Sequence, residues 1–177
     1  MKDILVVVAT DQEYKQACEN TKFKVVKTGV ASGNVIQVLK DVNKNTKIIN
    51  VGFAGSNCLP VGTIAKIKNS FLYHPNVSFE EKTYQLGGEV DCYTSHDFVL
   101  STNIKEPVVF DMELNTICAL GFEVESYKIV SDNLNLNQYE KAEAQKVDLS
   151  KCFKKVFEII EEQKWKNKIT QKSMNKL

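Results

Sequence analysis

The segment "ILVVVATDQEYKQACEN", residues 4–20, determines which fold class the sequence predicts. Its first part is a continuous aliphatic run, rich in β-branched residues, and is typical of a buried strand. Its second part has the composition of a helix, with Asp11 available as the N-cap. A buried strand that leads directly into a helix is the repeating unit of α/β proteins.

The same alternation of strand and helix returns along the rest of the chain. Further strands are predicted at 23–29, 47–55, 107–111 and 123–133, and helices at 31–43, 112–121 and 148–166. Between Gly62 and Leu100, short β-like runs extend the sheet. We therefore predict an α/β fold, a single three-layer domain with a mixed, mainly parallel central sheet flanked by helices. The domain is expected over residues 1–166, followed by a basic, flexible tail over 167–177.

Composition excludes several classes of protein. The 177 residues include 23 basic and 22 acidic side chains, so no overall charge favours nucleic acid or an anionic membrane. The apolar runs near the start are too short to cross a bilayer, and no signal-peptide layout is present. The five cysteines have no C-x-x-C spacing, which argues against a disulfide framework or a structural zinc site. We predict a cytoplasmic protein without nucleic-acid or membrane partners.

Polar and small residues concentrate where the predicted strands end. In α/β sheets, ligands bind in the crevice outside the carboxyl ends of the strands. These residues are therefore the candidates for a binding site. They fall at Asp11 and Glu13, at 29–33, and in "GFAGSN" (52–57), "SHDF" (95–98), "DME" (111–113) and "SDN" (131–133).

That ordered set resembles the nucleoside phosphorylase and nucleosidase superfamily, and most closely a shortened member of its methylthioadenosine/S-adenosylhomocysteine nucleosidase branch. The resemblance covers most of the chain and implies the fold of that superfamily. The segments that carry it are "LVVVATDQE" (5–13), "TGVASGNVIQVL" (28–39), "INVGFAGSNCLPVGTI" (49–64), "FLYHPNVS" (71–78), "TSHDFV" (94–99), "FDMELNTICAL" (110–120) and "KIVSDN" (128–133).

The resemblance implies two catalytic carboxyl groups. Asp132 would be the general acid that protonates N7 of the purine as the glycosidic bond breaks, which requires a proton held near neutral pH. Glu13 would activate the attacking water. The alternatives are structural, with Asp132 as a turn or cap acid and Glu13 as an exposed glutamate in the first turn of a helix.

The same resemblance implies the groups that hold the sugar. Glu113 would hydrogen-bond the ribose hydroxyls and stabilise the positive charge that develops on the sugar, and Met112 would pack beneath the ribose. Asp111 would support the start of the helix. As alternatives, Glu113 is a helix cap and Met112 is a core side chain.

The base and the backbone around it are assigned in the same way. Phe98 would stack on the base while the backbone of Val99 hydrogen-bonds the base edge, although Phe98 could equally be a core residue. Small residues let the backbone approach a ligand closely, so a glycine loop would lie beside the ribose or the nucleophile. That loop consists of Ala54, Gly55 and Ser56.

The absence of arginine separates hydrolysis from phosphorolysis. Phosphorylases of the superfamily grip phosphate with arginines, whose planar fork matches the anion, whereas this chain has lysines only. Lys128 stands where the resembling strand carries an arginine. The resemblance therefore implies hydrolysis of an adenine nucleoside that carries a 5′ thio substituent, without metal or organic cofactor. The alternatives are a purine nucleoside phosphorylase and a nucleoside-binding protein with little or no activity.

The resemblance also implies a homodimer. Members of the nucleosidase branch pair and complete the 5′ end of each other's pocket, and "YHPNVS" (73–78) would be the segment that reaches the partner.

Overall fold

The computed structural model of the chain describes residues 2–74 and 83–176. In chain order the elements are β1 (Ile4–Val8), α1 (Asp11–Asn20), β2 (Lys24–Lys27), α2 (Ser32–Leu39), β3 (Lys47–Ser56), β4 (Ile64–Leu72), β5 (Tyr84–Gln85), β6 (Val90–Thr94), β7 (Val108–Asp111), α3 (Leu114–Ala119), β8 (Glu123–Asp132), α4 (Leu136–Glu143) and α5 (Ser150–Met174). Strands and helices alternate from β1 to β3, as predicted, whereas β4 to β7 follow one another without a helix in the described residues and α4 was not predicted.

The strands form one mixed sheet, which confirms the predicted α/β class. β1 pairs in parallel with β2 and with β3, and β3 continues in parallel to β8. β4 then pairs antiparallel with β8 and parallel with β6, while β7 pairs parallel with β6 and antiparallel with β3. As a result, β3, β8, β4, β6 and β7 close into a ring.

Helices cover the sheet on both sides, as expected for three layers. Along β1, Leu5 and Val7 pack into one apolar cluster with residues of α2 and α3. Val6 and Val8 point to the opposite face and pack with α1, α4 and α5. This alternation follows from the two-residue period of a strand, and it explains why β1 is apolar throughout.

Helix α1 begins differently from the sequence prediction. Thr10, not Asp11, is the N-cap: its side chain accepts a hydrogen bond from the backbone N–H of Glu13, and the Glu13 side chain accepts one from the backbone N–H of Thr10. This reciprocal capping box satisfies two N–H groups that have no partner within the helix. It also fixes the Glu13 side chain at the end of β1.

Helix α5 is longer than predicted and continues to Met174. Residues 167–174 of the predicted basic tail therefore lie in this helix, where no glycine or proline interrupts it. No helix in 2–74 and 83–176 is both long enough and apolar enough to cross a membrane.

Candidate active site

A cavity of about 270 Å³ lies where β1, β3, β7 and β8 end. Among the residues that line it are nearly all those predicted for the site. They are Glu13, Ala54, Gly55, Phe98, Val99, Met112, Glu113 and Asp132.

Ser56 is the predicted binding residue that the structure places off the cavity wall. It is fully buried, and its hydroxyl donates to the carbonyl of Val108 and accepts from the backbone N–H of Leu59. The side chain thus holds β3 to the start of β7. We do not include Ser56 among the groups that contact a ligand.

Asp132 is the last residue of β8 and is almost fully buried, with 1% of its surface exposed. The Ser131 hydroxyl donates to Oδ1 at 2.8 Å, and the backbone N–H of Asn135 donates to Oδ2 at 3.2 Å. Burial raises the pKa of Asp132, while these hydrogen bonds lower it to a smaller extent. Asp132 therefore binds the turn that follows it and also presents a carboxyl group to the cavity.

Gly55 is required beside Asp132 for steric reasons. A Cβ atom at position 55 would lie 2.9 Å from Oδ2 of Asp132, closer than real Cβ contacts allow. Gly52 lies similarly close to Glu13, the second candidate catalytic residue. A Cβ atom at position 52 would lie 3.0 Å from Oε2 of Glu13. The glycines of β3 thus let both carboxyl groups approach the strand backbone.

Glu13 is buried, with 3% of its surface exposed, so the alternative of an exposed glutamate is wrong. Oε1 accepts from the backbone N–H of Ala9 at 2.8 Å, and Oε2 accepts from that of Phe53 at 2.8 Å. Burial raises the pKa of Glu13, opposed mainly by the Phe53 hydrogen bond and then by the charge of Lys128. Three backbone N–H groups thus hold the carboxyl group of Glu13 in place, and its pKa is raised.

Glu113 lies at the start of α3 and is also buried. Its Oε1 accepts from the backbone N–H of Ala31 at 3.2 Å, and its Oε2 accepts from that of Met112 at 3.3 Å. Ala31 has a φ of 79°, a left-handed conformation that is strained for alanine. The strained residue of the β2–α2 loop is therefore the one whose N–H binds Glu113, the candidate sugar-binding acid.

Burial and, to a smaller extent, the negative charge of Asp111 together raise the pKa of Glu113 to about 8. In the unfolded chain this carboxyl group titrates near its ordinary value of 4.5. Between these two values the folded protein holds a proton that the unfolded chain has lost, so this group makes stability fall as pH rises through that window. The linked free energy is on the order of a few kcal/mol.

We therefore expect Glu113→Gln to flatten the pH dependence of stability, because glutamine does not ionise. Melting temperatures measured from about pH 5 to pH 9 should fall more for the parent than for the variant. Glu19→Gln, at an exposed position of α1, is the matched control and should follow the parent. If melting temperature falls with pH equally in the parent and in Glu113→Gln, the raised pKa of Glu113 would be contradicted.

Asp111 and Lys128 form a buried ion pair next to the cavity. Lys128 Nζ lies 3.0 Å from Asp111 Oδ2, and the two side chains are 2% and 0% exposed. Asp111 also accepts from the backbone N–H of Leu114 at 2.8 Å and from the Thr94 hydroxyl at 2.6 Å. Burial alone would lower the pKa of Lys128, but Asp111 and the neighbouring acids raise it overall, so the lysine stays charged. Asp111 therefore supports the start of α3, as predicted.

Aromatic side chains form another part of the wall. The Phe98 ring lies 5.6 Å from that of Tyr139, with 53° between the ring planes. Both are half-buried, so Phe98 is not a core residue. Tyr139 was not predicted from the sequence because it lies in α4, a helix of eight residues that was not predicted either. A helix-compatible stretch directly after the Ser-Asp strand end was the available signal.

The cavity wall is acidic. Five carboxyl side chains line it and no lysine does, in the part of the chain that the structure describes; they belong to Glu13, Asp97, Asp111, Glu113 and Asp132. In the same described ranges, no group of three His, Cys, Asp or Glu side chains is arranged to hold a metal ion. In the described residues such a wall has no cation to bind an anionic ligand, and its carboxyl groups suit neutral or cationic ligands.

No protein-family model matches the sequence, and no curated protein matches it. Solved structures do match. An MTAN variant from Chlamydia trachomatis bound to MTA superposes with a TM-score of 0.71 at 15% identity, over 92% of this chain and 99% of that chain. The 5′-methylthioadenosine/S-adenosyl homocysteine nucleosidase of Helicobacter pylori gives 0.69 at 11% identity, over 91% and 97% of the two chains.

The futalosine hydrolase of Helicobacter pylori is similar as well, with a TM-score of 0.68 at 12% identity over 90% of this chain and 98% of that one. These likenesses show that the chain has the same fold as these nucleosidases and the futalosine hydrolase. Since the matched structures are named for different substrates, the fold itself does not select a substrate.

Proposed function

We propose that this protein hydrolyses the N-glycosidic bond of an adenine nucleoside of the methylthioadenosine type and releases adenine. The observation that carries the proposal is the meeting of Glu13, Glu113 and Asp132 on the wall of one cavity. These residues come from the ends of three different elements, and the resemblance in sequence assigns each a role in one reaction. The fold shared with known nucleosidases supports the same conclusion.

In this mechanism Asp132 delivers a proton to N7 of the leaving adenine. Its raised pKa favours the protonated form that a general acid needs. Glu13 accepts a proton from the attacking water, and its three backbone contacts fix the direction of its free lone pairs. Glu113 contacts the ribose hydroxyls, and Met112 packs against the sugar.

Hydrolysis is favoured over phosphorolysis by the charge of the site. A phosphate nucleophile would have to enter a cavity whose wall, in the described residues, has five carboxyl groups and no lysine to bind it. Lys128, the cation that stands in the arginine position, is buried and paired with Asp111. Its ammonium group already has a carboxylate partner, so a second anion would have to compete for it.

The test is adenine release by purified protein incubated with methylthioadenosine in phosphate-free buffer. We expect free adenine to form, at a rate that added phosphate does not raise. A requirement for phosphate would identify the protein as a phosphorylase. Intact nucleoside recovered after long incubation, together with a nucleoside-induced rise in melting temperature, would identify it as a binding protein.

We also propose that the protein is a homodimer. Its support is the sequence resemblance, together with exposed apolar side chains near the cavity: Leu100 is 65% exposed and follows Val99, and Val30 on the cavity wall is 38% exposed. Residues 75–78 of the segment predicted to reach the partner lie outside the described residues. A monomeric mass by light scattering would contradict the proposal.

A further inference from the structure

Tyr139 is a polar residue of the cavity wall to which no role has yet been given. Its ring is held against Phe98, but its hydroxyl has no hydrogen-bond partner among residues 2–74 and 83–176. Half-buried tyrosine hydroxyls ordinarily find a partner. The Tyr139 hydroxyl is therefore available to a ligand in the cavity.

The surroundings of this hydroxyl define its chemistry and its place. Burial raises the pKa of Tyr139, and the negative charges of Glu143 and then Glu13 raise it further, so the group remains a neutral O–H donor. Glu143 is joined to the start of α1 through the Thr10 hydroxyl at 3.0 Å. Tyr139 lies one helical turn before Glu143 on the same face of α4, so its side chain lies towards the α1 end of the cavity.

The orientation of the nucleoside in the cavity rests on the proposed function. In that arrangement Asp132 faces N7 of the base, Glu113 the ribose hydroxyls, and Glu13 the attacking water. The 5′ substituent is then the part of the nucleoside without a polar partner, and Tyr139 is a wall residue whose hydroxyl has none.

We propose that the Tyr139 hydroxyl donates a hydrogen bond to an oxygen at the 5′ position of the nucleoside and thereby lets the enzyme accept 5′-hydroxyl nucleosides beside the 5′ thioethers of the proposed function. A thioether sulfur is a weak acceptor, and a 5′-deoxy carbon is none. The contact consequently favours a 5′-hydroxyl nucleoside over its 5′-deoxy analogue.

The test compares adenosine with 5′-deoxyadenosine, which differ by this one oxygen, in the parent and in Tyr139→Phe. We expect kcat/KM of the parent to be about 5- to 10-fold higher for adenosine, the scale of one neutral hydrogen bond. In Tyr139→Phe the ratio should fall to about 1, mainly through KM, because the contact is made in the ground state as well. Tyr14→Phe, at an exposed position of α1, should keep the parent ratio.

A ratio that is unchanged in Tyr139→Phe, or an equal loss for both nucleosides, would overturn the assignment while leaving the proposed function intact. Release of adenine from neither nucleoside by the parent would instead contradict the proposed function itself. Phenylalanine keeps the ring that packs on Phe98, and melting temperature checks that the variant folds. Calorimetry on the parent gives an independent readout, since equal affinity for the two nucleosides would also overturn the assignment.

Discussion

Replacement of Asp132 by asparagine is expected to lower kcat by about a hundredfold or more, with nucleoside binding retained. Asparagine has nearly the same shape and can donate a hydrogen bond to N7, but it cannot deliver a proton. The adenine anion is a poor leaving group, so protonation matters in the transition state more than in the ground state. Steady-state kinetics on methylthioadenosine, with calorimetric affinity for the intact nucleoside, measures both parts of this result.

The control for this variant is Asp41→Asn, at an exposed position outside the cavity, which should keep parent activity. Melting temperatures are needed as well, because Asp132 accepts hydrogen bonds from Ser131 and Asn135. The loss of a general acid lowers kcat far more than about threefold. If kcat of Asp132→Asn stays within about threefold of the parent value, Asp132 only stabilises the turn after β8.

Replacement of Lys128 by methionine is expected to lower the free energy of unfolding by about 3–5 kcal/mol. The substitution removes the ammonium group that lies 3.0 Å from the buried Asp111 carboxylate and replaces it with an apolar side chain that cannot compensate the charge. Asp111 also anchors the start of α3, which carries Glu113. Urea denaturation at neutral pH measures the loss, and activity should fall with it because Glu113 loses its support.

Two further variants separate the ion pair from simple packing. The double variant Lys128→Met/Asp111→Asn should recover at least half of the lost stability, because no unpaired charge remains buried. Lys68→Met, at an exposed position of the neighbouring strand β4, should change stability by no more than about 0.5 kcal/mol. A Lys128→Met variant as stable as the parent would show that the pair contributes little.

The fold could be predicted because its signals are local and repeated. Short stretches of consecutive residues are enough to recognise the aliphatic run of β1, the capped start of α1 and the glycine-containing end of β3. The closure of the strands into a ring could not be predicted, since it depends on β8 pairing with β3 on one side and β4 on the other. Nothing local in either strand specifies two partners so distant in sequence.

In the candidate site, too, the positions of some residues could be predicted from the sequence and those of others could not. Glu13, Glu113 and Asp132 follow strand ends, so the topology brings them together once the strands are ordered. Ser56 also sits at a strand end, but the alternation of side chains along β3 directs its hydroxyl to Val108 instead of the cavity. The contribution of Tyr139 depends on how α4 packs over the cavity, which composition alone does not encode.

A crystal structure of Asp132→Asn with methylthioadenosine tests the central claim most directly, because this variant should hold the nucleoside uncleaved. The account predicts the base stacked on Phe98 with N7 within hydrogen-bond distance of residue 132, the ribose hydroxyls on Glu113, and an ordered water between Glu13 and the anomeric carbon. A nucleoside bound elsewhere, or bound here with its sugar turned away from Glu13 and Glu113, would contradict it.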